Sequence, residues 1–344
     1  MRHNIVGHSL QKARRTKKGH LSELNLFRQM MRSFSSRYKA VVVEETHQHY
    51  VHFIAGHTPL GKPIPARKEI SDLLIIAYSP SRKIARETFL QAKVAREPDG
   101  LQPNGDFIFT GEKYQYYLLS ERPLFDVPYF GLKDVSVLRD AVLPSIGSYG
   151  VFYEMGNNRV DFAYQPADKL IYRDFDAYGH VALEIDQRIS KYNVPSLIPD
   201  LQYTLSVDEF EYAVTHMLVG SPVIFTRGFY YTPYDYLFHI LIDNLQPSSD
   251  AQYAHVIAGL DDFLAFWNDS REWFKADTRG EESLGRYKEL AEFIPREGRF
   301  GHIGEGRWGR NDEMGEPPFE GEFCQGPISL ILINVDEIPD NWVK

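Results

Sequence analysis

Two apolar runs set close together constrain this chain most. Leu73-Leu74-Ile75-Ile76 has no polar interruption, so both faces of a strand there must be covered. A turn-forming stretch follows, Ser79-Pro80-Ser81-Arg82-Lys83. A second run, Thr88-Phe89-Leu90-Gln91-Ala92-Lys93-Val94, then alternates its side chains. The pattern predicts two adjacent strands inside a sheet. Asp72 stands at the start of the first. Gln91 and Lys93 share one face of the second, because side chains two apart on a strand point the same way. An acid, an amide and an ammonium are thereby brought within reach of each other.

That set has a use in phosphodiester hydrolysis. The reaction needs an activated water, stabilised charge on phosphorus and help for the leaving oxygen, all of which a divalent cation can supply. Mg²⁺ takes oxygen ligands and keeps several waters, so two or three protein oxygens suffice. Asp72, the Gln91 amide oxygen and the Ala92 carbonyl are the candidates, with Lys93 beside the water or the phosphate.

The charge distribution favours the same end of the chain. The net charge is −9, but residues 1–199 hold 27 Lys/Arg against 21 Asp/Glu, and residues 200–344 hold 11 against 26. The half that carries Asp72 is the half suited to a phosphate backbone. The 344 residues, 43% of them hydrophobic, suffice for one large domain or two smaller ones. With Cys324 as the single cysteine, neither an internal disulfide nor a cysteine zinc cluster can form. No apolar run approaches the roughly 20 residues of a membrane span, and the polar, basic N-terminus does not resemble a secretory signal. The expectation is a soluble cytoplasmic protein with no membrane partner.

Along the chain, residues 1–20 hold six basic and no acidic residues, and predict a mobile basic arm. Residues 21–38 predict a helix, N-capped by Ser22, with Leu24, Phe27, Met31 and Phe34 on one face and Glu23 in its first turn. Strands are expected over 39–46 and 49–55, paired as a hairpin, and then a Gly/Pro loop over 56–67. Helices are expected over 112–119 and 135–143, and short strands over 149–153 and 159–164. These elements predict an α/β (α+β) core over 21–170. Beyond it, 171–344 is expected to be mainly helical and acidic, with helices over 207–219, 234–245 and 251–275, a charged glycine-rich loop over 295–322, and a last buried strand over 328–335 that returns to the first sheet.

Asp72 followed by Gln91-Ala92-Lys93 resembles the PD-(D/E)xK nuclease superfamily in its Q-x-K variant, similar to Mrr-like restriction nucleases. The resemblance covers roughly residues 20–125. It implies a restriction-endonuclease-like fold, a mixed sheet flanked by helices, and a Mg²⁺- or Mn²⁺-dependent DNA endonuclease, with a setting in restriction or anti-phage defence. Asp72, Gln91, the Ala92 carbonyl and Glu23 would hold the metal, and Lys93 would complete the catalytic set. Gln115 and Tyr117 match a further element on the following helix. DNA is the implied partner and RNA an alternative, alongside a second copy or a protein of a defence complex. The chain departs from the family pattern at Ser71, where proline is usual, and at Gln91, where an acid is usual. The second departure supports a rival reading: a catalytically silent nuclease fold that binds DNA or a protein. Glu69, three residues before Asp72, is expected on the opposite side of an extended chain unless a bend brings it round.

A separate rival is a zinc site built on His47, His49, His52 and His57, although packed or solvent-facing histidines explain that run as well. The aromatics between Phe229 and Tyr236 can stack bases, but core packing is the plainer account.

Overall fold

The computed structural model describes residues 5–11, 22–43, 49–95, 107–155, 159–175, 179–185, 205–223, 236–237, 240, 258–267, 269 and 328–338. The two apolar runs become β4 (Leu73–Ser79) and β5 (Ile84–Ala95), which pair antiparallel with Leu73 opposite Leu90. All seven residues of β4 are buried, as a run without polar alternation requires.

An eight-stranded mixed sheet is built around them. Its order is β1 (Val41–Val43), β15 (Ser329–Asn334), β4, β5, β9 (Gly147–Met155), β10 (Arg159–Pro166) and β13 (Leu205–Ser206), with β14 (Ser221–Pro222) on the first half of β5. β15 runs parallel to β4, and β9 runs parallel to β5. A three-stranded sheet joins β11 (Ile171–Phe175), β12 (His180–Ile185) and β6 (Phe107–Glu112). A four-stranded one joins β3 (Pro63–Glu69), β2 (Tyr50–His57), β7 (Phe125–Val127) and β8 (Leu132–Val135).

Helices α1 (Ile5–Leu10), α2 (Glu23–Tyr38) and α4 (Val207–Thr215) pack on one face of the large sheet, against Leu73, Ile75, Leu90, Ala92, Phe152 and Phe162. The opposite face carries Leu74, Ile76, Phe89, Tyr149 and Val151, and meets α3 (Lys113–Glu121), the β2–β7 layer and the helical residues 258–267. The fold is thus mixed α/β, with strands from both halves of the chain in one sheet.

Ser22 caps α2 as expected, its hydroxyl accepting from the Asn25 amide at 3.4 Å. α3, β9, β10, α4 and β15 also lie where the sequence puts them. Other segments differ. β1 and β2 form no hairpin: β1 pairs with β15, whose own apolar run needs a neighbour on each side, while β2 pairs with β3 and β7. The expected loop over 56–67 contains most of β3, because Pro63 and Pro65 fit an outer strand whose free edge needs no amide donor. In place of a helix over 135–143 there is a turn, in which Asp140 N donates to Ser136 O at 2.8 Å and Val137 and Leu138 act as buried anchors. Within the basic N-terminal segment, Val6 and Leu10 of α1 are buried, and Val6 N donates to Glu211 on α4 at 3.3 Å. Much of the region expected to be helical, and all of 295–322, lies outside the described residues. The described part of 171–344 holds β11 to β15, α4 and residues 258–267.

Candidate functional site

The site forms where β4 ends and β5 continues. Carried one residue further, the β4–β5 register sets Asp72 across from Gln91. Beyond this point the chain before Asp72 turns away, so the Ala92 amide faces no partner strand on that side. The Asp72 carboxylate takes its place, Oδ2 accepting from Ala92 N at 2.7 Å and from Gln91 Nε2 at 2.5 Å. Gln91 Nε2 also lies 3.3 Å from the Ala92 carbonyl oxygen. Gln91 Oε1 accepts from Gln115 Nε2 on α3, and Gln115 also donates to the Glu69 carbonyl at 3.3 Å. Gln91 and Gln115 are 2% and 4% exposed, so this amide chain fixes the carboxylate from beneath.

Lys93 stands at the rim, 18% exposed, with Nζ 3.9 Å from Glu23 Oε1 in the first turn of α2. Asp72, Gln91, Ala92, Lys93, Glu23 and Gln115 therefore meet in one place. Tyr117 does not join them. Its ring stacks on Phe53 with centroids 6.4 Å apart, and burial, then the Glu121 charge, raises its hydroxyl pKa.

Two further residues stand at the site, Glu69 and Tyr149, and of these only Tyr149 was not foreseen. Glu69 is drawn in rather than turned away, because Ile70 and Ser71 bend the chain between two different sheets, with Ser71 Oγ donating to Leu73 O at 3.1 Å. Burial, and then the neighbouring Asp72 charge, push the Glu69 carboxyl up to about 8, against the pull of Lys93. The bend that brings Glu69 round from the far side of an extended chain is the one the sequence reading left open. The second residue is Tyr149, aligned with Gln91 across the β5–β9 pairing. It is fully buried, its hydroxyl has no hydrogen-bond partner among the described residues, and it feels the charges of Glu112 and Asp72. Tyr149 lies in a segment the sequence already marks as a strand, but its neighbour is set by a parallel pairing no local pattern reveals.

Asp72 itself is pushed up to about 6 by burial, with Lys93, the Ala92 amide and the Gln91 amide opposing the rise. A carboxyl poised between 6 and 8 can exchange a proton near neutral pH. Two crowded acids of this kind also store an electrostatic cost that a cation would relieve. Among the described residues, no three His, Cys, Asp or Glu side chains converge as a metal-holding group. A cation here would rely on Asp72, main-chain and amide oxygens, and water, a set that fits Mg²⁺ better than Zn²⁺.

Among the described residues, the histidine run does not assemble. His49 is buried against Phe130 and Tyr236, with ring centroids 5.4 and 5.6 Å away, whereas His52 and His57 are exposed; His47 lies outside the described residues. Tyr236, the described member of the 229–236 aromatic run, is buried beside Phe89 and Phe125. No helix among the described residues is long and apolar enough to cross a membrane. No protein-family model matches the chain, nor does a curated protein or a solved structure.

Proposed function

We propose that this protein is a divalent-metal-dependent nuclease that hydrolyses DNA phosphodiesters, with a place in restriction or anti-phage defence. The observation that carries the reading is the meeting of Asp72, Gln91-Ala92 and Lys93 at one strand end, with Glu69 and Glu23 close by. A bound Mg²⁺ or Mn²⁺ would polarise the phosphate and lower the pKa of a water. Asp72 would hold the cation with its carboxylate and the Ala92 carbonyl would add an oxygen. Gln91 would contribute Oε1 once its amide turns over, a rotation that releases both Asp72 and Gln115. Lys93 Nζ, held at the rim by Glu23, would meet the scissile phosphate and stabilise the charge that grows on it. Glu69, whose carboxyl is pushed up to about 8 in the metal-free protein, would take the proton of the attacking water in its ionised form.

The test is cleavage of plasmid and linear DNA with Mg²⁺ or Mn²⁺. Lys93→Ala is expected to lower the rate by about 10²-fold or more, with the fold intact by circular dichroism. Cutting that survives both Lys93→Ala and Asp72→Ala would overturn the reading.

One observation favours a second reading. The Gln91 amide donates to Asp72 Oδ2, so a protein donor already satisfies the carboxylate oxygen. A silent scaffold that binds DNA or a protein would look like this. Such a chain would bind duplex DNA and leave it intact under every metal tried.

A further inference from the structure

The chain between Glu45 and Glu69 holds no acidic residue, yet it includes Lys62, Arg67, Lys68 and the exposed His52 and His57. This stretch contains β2 and β3, which form a ribbon. Its base is the candidate site itself: Glu69 ends β3, and Asp72 follows three residues later. β7 pairs with β2 at His52 and Phe53, so the ribbon continues past it toward the tip. At about 3.3 Å per residue, the eight residues of β2 span about 25 Å.

The two faces of the ribbon differ. Val51, Phe53 and Ala55 point into the core. The alternate positions, His52 and Ile54 with their partners Arg67 and Pro65, form the outer face. The Arg67 guanidinium sits over the Tyr50 ring, 4.4 Å from its centroid, which helps hold it in place on the ribbon. Among the described residues, the acids near the ribbon include Asp126, across from His52, Glu69 at the base, and Glu112, which pairs with Lys68 at 3.1 Å.

The tip is built firmly and left apolar. Thr58 N donates to Lys62 O at 2.8 Å, Gly61 N to Thr58 O at 2.8 Å, and Lys62 N to the Thr58 hydroxyl at 3.1 Å. Gly61, at φ +76, allows the return. Leu60 is 87% exposed at the apex, next to Pro59. An ordered turn that presents a leucine to water and sets a lysine two residues away is poorly suited to a simple connection. Strand addition is disfavoured as its purpose, since Pro63 and Pro65 strip amide donors from the outer strand.

We propose that the β2–β3 ribbon is an arm that grips duplex DNA and leads it to the Asp72 site. Lys62 and Arg67 neutralise backbone phosphates, and Leu60 enters a groove as an apolar wedge. This rests on the nuclease reading for the identity of the polyanion; the chemistry of the ribbon supplies the rest. A two-stranded ribbon fits the major groove, and apolar tips are used against base steps in the minor groove.

The experiment is fluorescence anisotropy of the full chain with a labelled 25-bp duplex in EDTA, over a range of salt concentrations. Lys62→Ala with Arg67→Ala should weaken binding by about tenfold or more, and reduce the slope of log affinity against log salt by about 2. Leu60→Ala should weaken binding severalfold and leave the slope unchanged, because it removes an apolar contact and no charge. Both variants alter exposed or half-exposed residues, and thermal melting confirms that they fold. Wild-type affinity and slope in the double variant overturn the arm, and so does equal or tighter binding of duplex RNA. A chain that binds through the ribbon but never cuts loses the nuclease reading and keeps the arm. A chain that cuts while both variants bind normally keeps the nuclease reading and loses the arm.

Discussion

Asp72, Glu69 and Glu87 are three carboxyls that pay for burial in the same way. Asp72 is pushed up to about 6 from 3.8, and Glu69 to about 8 from 4.5, both by burial first. Glu87 on β5 is pushed up to about 8 by burial alone, and its Oε2 has no hydrogen-bond partner among the described residues. A folded-state pKa above the unfolded value means that the folded chain keeps a proton the unfolded chain has released. The stability tied to that proton is complete below the unfolded pKa and is lost as pH rises through the folded one. The metal-free protein should therefore melt at a lower temperature at pH 8.5 than at pH 5. Mg²⁺ binding at Asp72 favours the ionised state, so its effect runs the other way: the rise in Tm on adding Mg²⁺ should be larger at pH 8 than at pH 5. A Mg²⁺ shift that does not vary with pH, or that survives in Asp72→Asn, would sink the cation site. Glu87 is remote from that site and separates the two effects. Glu87→Gln should gain about 2 °C relative to wild type between pH 5 and pH 8.5, with an unchanged response to Mg²⁺.

At the level of elements, local chemistry was legible and pairing was not. Ser22 before Glu23, and the apolar spacing behind it, place α2 to within a residue or two. Its cap is expected to contribute about 1 kcal/mol, so Ser22→Ala should lower the unfolding midpoint in urea without changing the slope of the transition. The same change should loosen Glu23, and with it the Lys93 ion pair at 3.9 Å. The Asp72…Gln91-Ala92-Lys93 cluster was readable because an antiparallel hairpin has a register fixed by its own turn. β3 was missed because its prolines look like loop punctuation until the strand is known to lie at an edge. Glu69 could be placed only conditionally, because a bend between two sheets leaves no periodic trace. Gln115 was legible as a residue and not as a contact. Its link to Gln91 and to the Glu69 carbonyl joins α3, β5 and β3, and predicts that Gln115→Ala frees the Gln91 amide. If the amide turns toward a cation in the working state, Gln115→Ala should tighten Mn²⁺ binding, measured by calorimetry; if the amide chain is only a structural brace, it should lower Tm and leave Mn²⁺ affinity unchanged.

Across the whole molecule, the central sheet ties the ends of the chain together. β15 lies between β1 and β4, pairing with Val41–Val43 on one side and with all of Leu73 to Tyr78 on the other. Just after it, Asp336 accepts from the Ser79 hydroxyl and the Ser81 amide, each at 2.7 Å, which fastens this end to the β4–β5 turn. β13 and β14 likewise complete pairings of β10 and β5. The strand that carries Asp72 into place is thus buried between a neighbour close in sequence and one more than 250 residues away. The sheet around the site cannot be finished until the last strand arrives, and contacts of such separation fold slowly. A chain cut before residue 328 would expose one edge of β4, along with the unpaired β1. It should fail to melt cooperatively and should aggregate, whereas Leu330→Ala in the full chain, a buried truncation within the sheet, should keep the fold at a cost of about 2–5 kcal/mol. Denaturant unfolding of both proteins checks this. A truncated chain with a sharp transition and wild-type Mn²⁺ binding would mean that the site is assembled by residues 1–327 alone, and that β15 covers the sheet without organising it.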